Sequence, residues 1–167
     1  LPLYSKLVEK NVIFRNRCIG VGLIDRRRAL AYGITGPTLR ALGVPYDVRR
    51  AEPYSIYDRF DFESPKADGG DCFARFLVRF REMEQSVRIV EQAIAQLPAG
   101  PIEAEKVPKT IKPPAGEYYH GVESARGHFG IYTVSDGSAI PARIKLRTPS
   151  FATLSVMPEI LAGTMVA

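Results

Sequence analysis

The stretch DCFARFLVRFREMEQSVRIVEQAIAQL, residues 71–97, decides how this 167-residue chain folds. Its apolar residues recur at steps of three and four, at Phe73, Phe76, Leu77, Phe80, Met83, Val87, Val90, Ile94 and Leu97. That spacing places them on one stripe of an α-helix, with Phe80 expected in a core. Asp71 is expected to cap the first turn, and Pro98 with Gly100 ends the pattern. A rod of about 40 Å, at about 1.5 Å per residue, is typical of a helical bundle. If the helix packs against elements outside this chain, its stripe should be exposed.

Shorter helical signals precede this stretch. A helical pattern runs from about Val12 to Arg17, and Asp25 is placed to cap a second helix, Arg26 to Tyr32. Gly33 stands where a helix end favours a residue that tolerates positive φ. Pro53 is expected to start another short helix, because proline fits a first turn.

Strand signals follow the long helix. Five prolines between residues 98 and 116 predict an extended linker. The segments Tyr118–Glu123, Gly130–Ser135 and Ala142–Leu146 predict strands, with a turn at Asp136-Gly137 and helical structure from Pro149, including Met157 to Ala167. The predicted fold class is α+β, with a long bundle helix plus a small antiparallel sheet. Its parts are a mainly helical segment 1–97, the linker 98–116 and a sheet segment 117–167, all in one incomplete domain.

The composition is that of a globular protein, 46% hydrophobic and 25% charged, with a formal charge of +5. The charge does not predict nucleic-acid binding, because arginines alternate with acids, as in Arg79, Arg81, Glu82 and Glu84. Glu84 and Arg88 have the spacing of a helix-surface ion pair. No apolar run approaches the roughly 18 residues that a membrane span needs, and no signal peptide is recognisable.

No complete catalytic or metal-binding pattern is present in the sequence. Cys18 and Cys72 each stand alone, and Gly20-Val21-Gly22 lacks the third glycine of a dinucleotide loop. His120 and His128 lie near Glu123, but a metal site needs three or four converging ligands. We therefore predict no metal ligand and no catalytic residue within this chain.

The segment Val122–Gly127 is a stronger candidate for a functional role. It places Glu123 and Arg126 beside Gly127, between two predicted strands. The arginine fork suits carboxylate or quinone-like oxygen acceptors. A tight turn held by an ion pair between the two charged side chains is the alternative interpretation.

Several motifs, in order along nearly the whole chain, resemble the 49-kDa-type (D) subunit of respiratory complex I, the NADH–quinone oxidoreductase. They are IFRNR (13–17), YGITGPTLRA (32–41), PYDVRR (45–50), PYSIYD (53–58), GDCFARFLVR (70–79), VESARG (122–127), VSDGS (134–138) and RTPSF (147–151). The family is similar to the large subunit of nickel–iron hydrogenases, where the stretch that matches Val122–Gly127 usually reads Glu-Ala-Pro-Arg-Gly. Here Ser124-Ala125 replaces the middle of that motif, and His128 stands where the family commonly has Glu.

The resemblance implies a hydrogenase-large-subunit-like fold and a role in a complex. The implied function is electron transfer from NADH to quinone, coupled to proton translocation. The implied partners are other complex I subunits, especially the one that carries the terminal iron–sulfur cluster, and the membrane arm. The implied location is peripheral, on the cytoplasmic face of the bacterial inner membrane. NADH and quinone would be substrates of the complex, with no cofactor bound by this chain.

The resemblance also guides the choice of site residues. The family's quinone-headgroup His and Tyr are expected before Leu1, so the isolated chain is expected to be inactive. The candidates for support of the quinone cavity are Glu123, Arg126, Gly127 and Arg40. Two alternatives stay open, a membrane-bound nickel–iron hydrogenase large subunit or related dehydrogenase, and a scaffold module without chemistry.

Overall fold

The computed structural model describes residues 4–103 and 105–164. A π-helical turn, Ser5–Glu9, comes first. The elements that follow are α1 (Val12–Cys18), α2 (Arg26–Ala31), α3 (Gly36–Arg40), α4 (Val48–Ala51), a 3₁₀ turn (Tyr57–Arg59), α5 (Cys72–Ala95), β1 (Gly116–Ser124), β2 (Gly127–Ser135), β3 (Arg143–Arg147), α6 (Pro149–Ser155) and α7 (Met157–Leu161). No helix in these ranges is long and apolar enough to cross a membrane.

Helix α5 is the predicted long helix, and it begins where the sequence indicates. The Asp71 carboxylate accepts hydrogen bonds from the backbone N–H of Ala74 at 2.7 Å and from that of Gly20 at 2.8 Å. The first bond satisfies a free donor of the opening helical turn. The second ties the loop after α1 to the same end of α5, so this carboxylate both caps the helix and fixes its neighbour.

The apolar stripe of α5 is buried only near the start of the helix. Phe80 is confirmed as a core residue at 8% exposure, but Met83 is 48% and Ile94 70% exposed. The face that packs inside the chain carries Ala74 and Val78, which contact α3 and the residue after it. The stripe is exposed, as expected for a helix whose apolar partners lie outside the described residues.

The three strands form one antiparallel sheet in the order β1-β2-β3. Gly121 pairs with Gly130, and Gly130 pairs in turn with Arg147, which sets the register of the sheet. The turn between β2 and β3 uses Asp136, whose carboxylate accepts the N–H of Ser138 at 2.9 Å. The predicted α+β class, with a long helix and a small antiparallel sheet, is confirmed.

The main core joins the two ends of the described chain. Ile24, Ile34 and Leu39 pack with Val156, which lies between α6 and α7 and is 1% exposed. The helices that precede α5 in the sequence therefore share one core with the helices that follow the sheet.

Three local predictions are wrong or lie partly outside the described residues. Pro53 starts no helix, because Asp47 caps α4 earlier in the chain and the backbone leaves that helix before the proline. Arg88 binds Asp61 instead of Glu84, because the loop before α5 brings a carboxylate within its reach. In the segment 157–167, α7 ends at Leu161, and residues 165–167 lie outside the described ranges.

Candidate functional site

Three of the motifs singled out in the sequence meet at one junction between the helices and the sheet. The N–H of His128 and the guanidinium of Arg147 both donate to the Thr35 hydroxyl, each at 3.1 Å. Gly36 has φ +67°, and a Cβ atom there would lie 2.3 Å from the Cα of Gly127. Only glycines allow the start of α3 to approach the start of β2 this closely. The turn before Gly127 is therefore fixed against the helical body.

The second feature of this junction is a buried guanidinium, that of Arg40, which is 1% exposed. Its Nε and Nη2 donate to one oxygen of Glu82 at 2.8 and 2.6 Å, and Nη2 also donates to Glu123 at 2.8 Å. Its Nη1 donates to the backbone carbonyl of Tyr46 at 2.9 Å and lies 3.8 Å from Asp47. Ionised groups this deeply buried are stable only when paired and hydrogen-bonded.

Arg49 completes this group, which we call the Arg40 cluster (Arg40, Asp47, Arg49, Glu82 and Glu123). Arg49 binds both oxygens of Asp47, with Nε at 2.9 Å and Nη2 at 2.7 Å, in the fork geometry that favours strong pairs. Asp47 also accepts the N–H of Arg49 at 3.0 Å and so caps α4. The cluster connects the end of α3, the start of α4, the middle of α5 and the end of β1.

The charges of the Arg40 cluster do not cancel, since three carboxylates face two guanidinium groups. Burial alone would raise the pKa of Asp47, but hydrogen bonds from Arg49 and Ser64 and the nearby positive charges lower it below its ordinary value. For Glu123 burial wins, and its pKa is raised although Arg40 opposes the shift. Glu123 is therefore the carboxylate of the cluster that protonates most readily relative to its ordinary behaviour.

Glu123 and Arg126 do not pair with each other. The Glu123 side chain turns into the Arg40 cluster, whereas Arg126 is exposed and lines a separate pocket of about 330 Å³ with Arg79 and Thr38. The turn is instead closed by the Ser124 hydroxyl, which donates to the Gly127 carbonyl at 2.8 Å. The interpretation of this segment as a turn held by a Glu123–Arg126 ion pair is wrong.

The two histidines lie in different surroundings. His128 is 8% exposed, and its two ring nitrogens lie 3.1 Å from the hydroxyls of Tyr46 and Tyr119. Burial and the charge of Arg147 lower the pKa of His128, so the ring is held neutral between the two tyrosines. His120 is exposed and packs edge-on against Tyr54. In residues 4–103 and 105–164, no three His, Cys, Asp or Glu side chains converge as metal ligands would.

Sequence reasoning missed Asp47 and Glu82 as partners of Arg40. Asp47 carries a local signal, because an Asp before the short VRRA helix is a typical N-cap. Glu82 carries none, because on α5 it is one acid among several on a polar face. Its pairing with Arg40, 42 residues away, depends on how α3 packs on α5.

An apolar cavity of about 340 Å³ lies beside the junction, between α3, α5 and the final helices. Its lining includes Ile24, Ile34, Val156, Met157, Ile160 and Leu161, with Arg75 and Arg79 at its polar edge. It shares Thr38, Arg79 and Thr153 with the pocket that Arg126 lines, so the two spaces adjoin.

The fold and the junction define a class, a subunit-type module in which a buried charge cluster rigidly joins a bundle helix to a small sheet. The chain belongs to the family of the 49-kDa subunit of respiratory-chain NADH dehydrogenase, whose model matches residues 1–113 and 105–167.

Relatives from several bacteria support this membership, and each is the NADH-quinone oxidoreductase component designated D. The chain is 52% identical to that of Syntrophobacter fumaroxidans, over 99% of this chain and 44% of the relative. It is 48% identical to that of Desulforamulus reducens, over 98% of this chain and 44% of the relative. For Geobacillus kaustophilus the values are 49%, 98% and 45%. The chain thus spans somewhat under half the length of these relatives.

Proposed function

We propose that this chain is part of an NADH-quinone oxidoreductase and supports its quinone-reduction site. In that complex electrons pass from NADH to quinone, and the reaction is coupled to proton translocation. The names of the relatives, which all designate the same component of this enzyme, support the assignment. They favour it over a nickel–iron hydrogenase.

The observation that carries the proposal is the Arg40 cluster. It holds the end of β1 through Glu123, while the Gly36–Gly127 contact holds the start of β2. The exposed turn between them, Ala125-Arg126, is therefore presented on a rigid support. Precise placement of such a turn matters because a misplacement of about 1 Å at a reacting site can reduce turnover by about 100-fold.

In this proposal the chain supplies positioning, and the chemistry depends on neighbours. The subunit that carries the terminal iron–sulfur cluster would deliver electrons beside the Ala125-Arg126 turn, and the membrane arm would lie below. The complex would place this chain peripherally at the cytoplasmic face of the bacterial inner membrane. The isolated chain should then show no NADH–quinone turnover.

The test compares two acceptors in membranes that contain the assembled complex. Glu123→Gln keeps the size of the side chain but removes the charge that Arg40 binds. We expect quinone reduction to fall by about 10- to 100-fold, while NADH oxidation by ferricyanide, which bypasses the quinone site, stays at the wild-type rate. Arg81→Gln is the matched control, because Arg81 is exposed on α5 and donates only to the Lys66 carbonyl, at 3.3 Å.

Equal loss of both activities would contradict the proposal, because it would indicate a failure of assembly instead of a role at the quinone site. Unchanged quinone reduction in Glu123→Gln, with normal amounts of complex, would show that the cluster does not position that site.

A further inference from the structure

We propose that Arg79 and Arg126 form a binding site for an oxyanion, a carboxylate or a phosphate. This inference goes beyond the proposed function, since nothing in it depends on quinone. It depends on the pocket of about 330 Å³ that the two arginines line together.

The first argument is unbalanced charge. Neither Arg79 nor Arg126 has an ion pair or a side-chain hydrogen bond with any residue in the ranges 4–103 and 105–164. Glu82, the nearest acid on the same helix, directs its oxygen to Arg40. Other arginines here behave differently, since Arg40, Arg49 and Arg88 all bind carboxylates.

The second argument is that the positive groups act on one another. The pKa of Arg79 is lowered, first by partial burial and then by the charges of Arg75 and Arg126, while Glu82 opposes the shift. Arg75 is held in place by the carbonyls of Gly70 and Gly22, at 3.0 and 2.8 Å. An anion between Arg79 and Arg126 would relieve this repulsion.

The third argument is a buried hydroxyl directed at the same space. Thr38 is 6% exposed and lines the pocket, and its hydroxyl forms no hydrogen bond with a described residue. Ser150, at the opposite wall, is likewise without a side-chain partner in that part of the chain. Two guanidinium forks and two free hydroxyls are the donor set that carboxylate and phosphate oxygens prefer.

Two sources of the oxyanion are compatible with this chemistry. It is either a free small anion or a carboxylate side chain of the assembled protein. The experiment follows thermal unfolding of the intact complex at constant ionic strength, while inorganic phosphate replaces chloride. A free anion gives a saturable rise in the unfolding midpoint that is lost in the double variant Arg79→Gln/Arg126→Gln and kept in Arg81→Gln.

If a protein carboxylate fills the site, phosphate gives no rise. The double glutamine variant then unfolds at a lower temperature than Arg81→Gln, and Arg79→Lys/Arg126→Lys, which keeps both charges, recovers most of the loss. Either pattern supports the site and identifies the source. The proposal is overturned if phosphate acts equally on the wild type and the double glutamine variant. It is also overturned if phosphate has no effect and that variant unfolds like Arg81→Gln, or if the lysine variant recovers nothing.

Discussion

Replacement of Arg40 by methionine should lower the free energy of unfolding by about 3–5 kcal/mol, the range for breaking a buried ion pair from one side. The structure shows why the loss should be this large. Glu82 and Glu123 each lose their side-chain partner, and the Tyr46 carbonyl loses a donor. A hydrogen bond to a charged group contributes about 1.5–3 kcal/mol, and the partial exposure of Glu82, 18%, reduces its share. Asp47 keeps Arg49 and Ser64 and should add little.

The assay is urea unfolding of the purified chain, followed by far-UV circular dichroism at pH 7. Arg59→Met, at an exposed position, should change the free energy by no more than about 0.5 kcal/mol. The triple variant Arg40→Met/Glu82→Gln/Glu123→Gln removes the stranded charges and should recover about half of the loss. A loss below about 1 kcal/mol in Arg40→Met, or no recovery in the triple variant, would refute the reasoning.

The remaining predictions concern the core, the junction and pH. Phe80→Ala should cost about 3–5 kcal/mol in urea unfolding, because it empties a buried aromatic site. Gly36→Ala should cost more than the roughly 1–3 kcal/mol of positive-φ strain alone, since its methyl group would also collide with Gly127. The folded state holds His128 neutral with a lowered pKa, whereas the unfolded chain takes up a proton near 6.5. The free energy of unfolding should therefore fall as pH drops below about 6.5, and His128→Gln should weaken this dependence in urea midpoints measured from pH 8 to 5.

Matched variants separate these causes. Met83→Ala lies on the same helix at 48% exposure, and it should cost under about 1 kcal/mol if burial is what matters at Phe80. Gly20 has φ +73° with no atom within 4 Å of an added Cβ, so Gly20→Ala carries the strain without the collision. Equal costs for Gly20→Ala and Gly36→Ala would contradict the role of the close contact. An unchanged pH slope in His128→Gln would show that another group is responsible.

Local chemistry made much of the fold predictable. The caps at Asp25 and Asp71, the positive φ of Gly33 and the turn at Asp136 all follow from residues within three positions of one another. The long helix and the strands were likewise visible from periodicity, within a few residues at each end. The face of the helix that packs inside the chain was not, because its contacts with α3 involve the small residues Ala74 and Val78.

The candidate site was predictable only in part. Arg40 and Glu123 were selected through a family resemblance, and no pattern shows that two residues 83 positions apart bind each other. The nearer pairing, of Glu123 with Arg126, was the natural local interpretation and is wrong. A two-residue turn directs these side chains to different sides, and only the tertiary structure shows that a buried guanidinium lies on one of them.

Helix α5 is anchored unevenly, and this has a consequence for local unfolding. Beyond Met83, and within the described ranges, its side-chain hydrogen bonds to other elements all reach one short segment, residues 61–63, through Gln85, Arg88 and Gln92. About a dozen helical residues form only marginal structure without such support. Amide hydrogens there should exchange through local fraying, orders of magnitude faster than those near Val78, which should wait for global unfolding. A single proteolytic cut within 61–63 would release the outer half of the helix and leave the inner half folded.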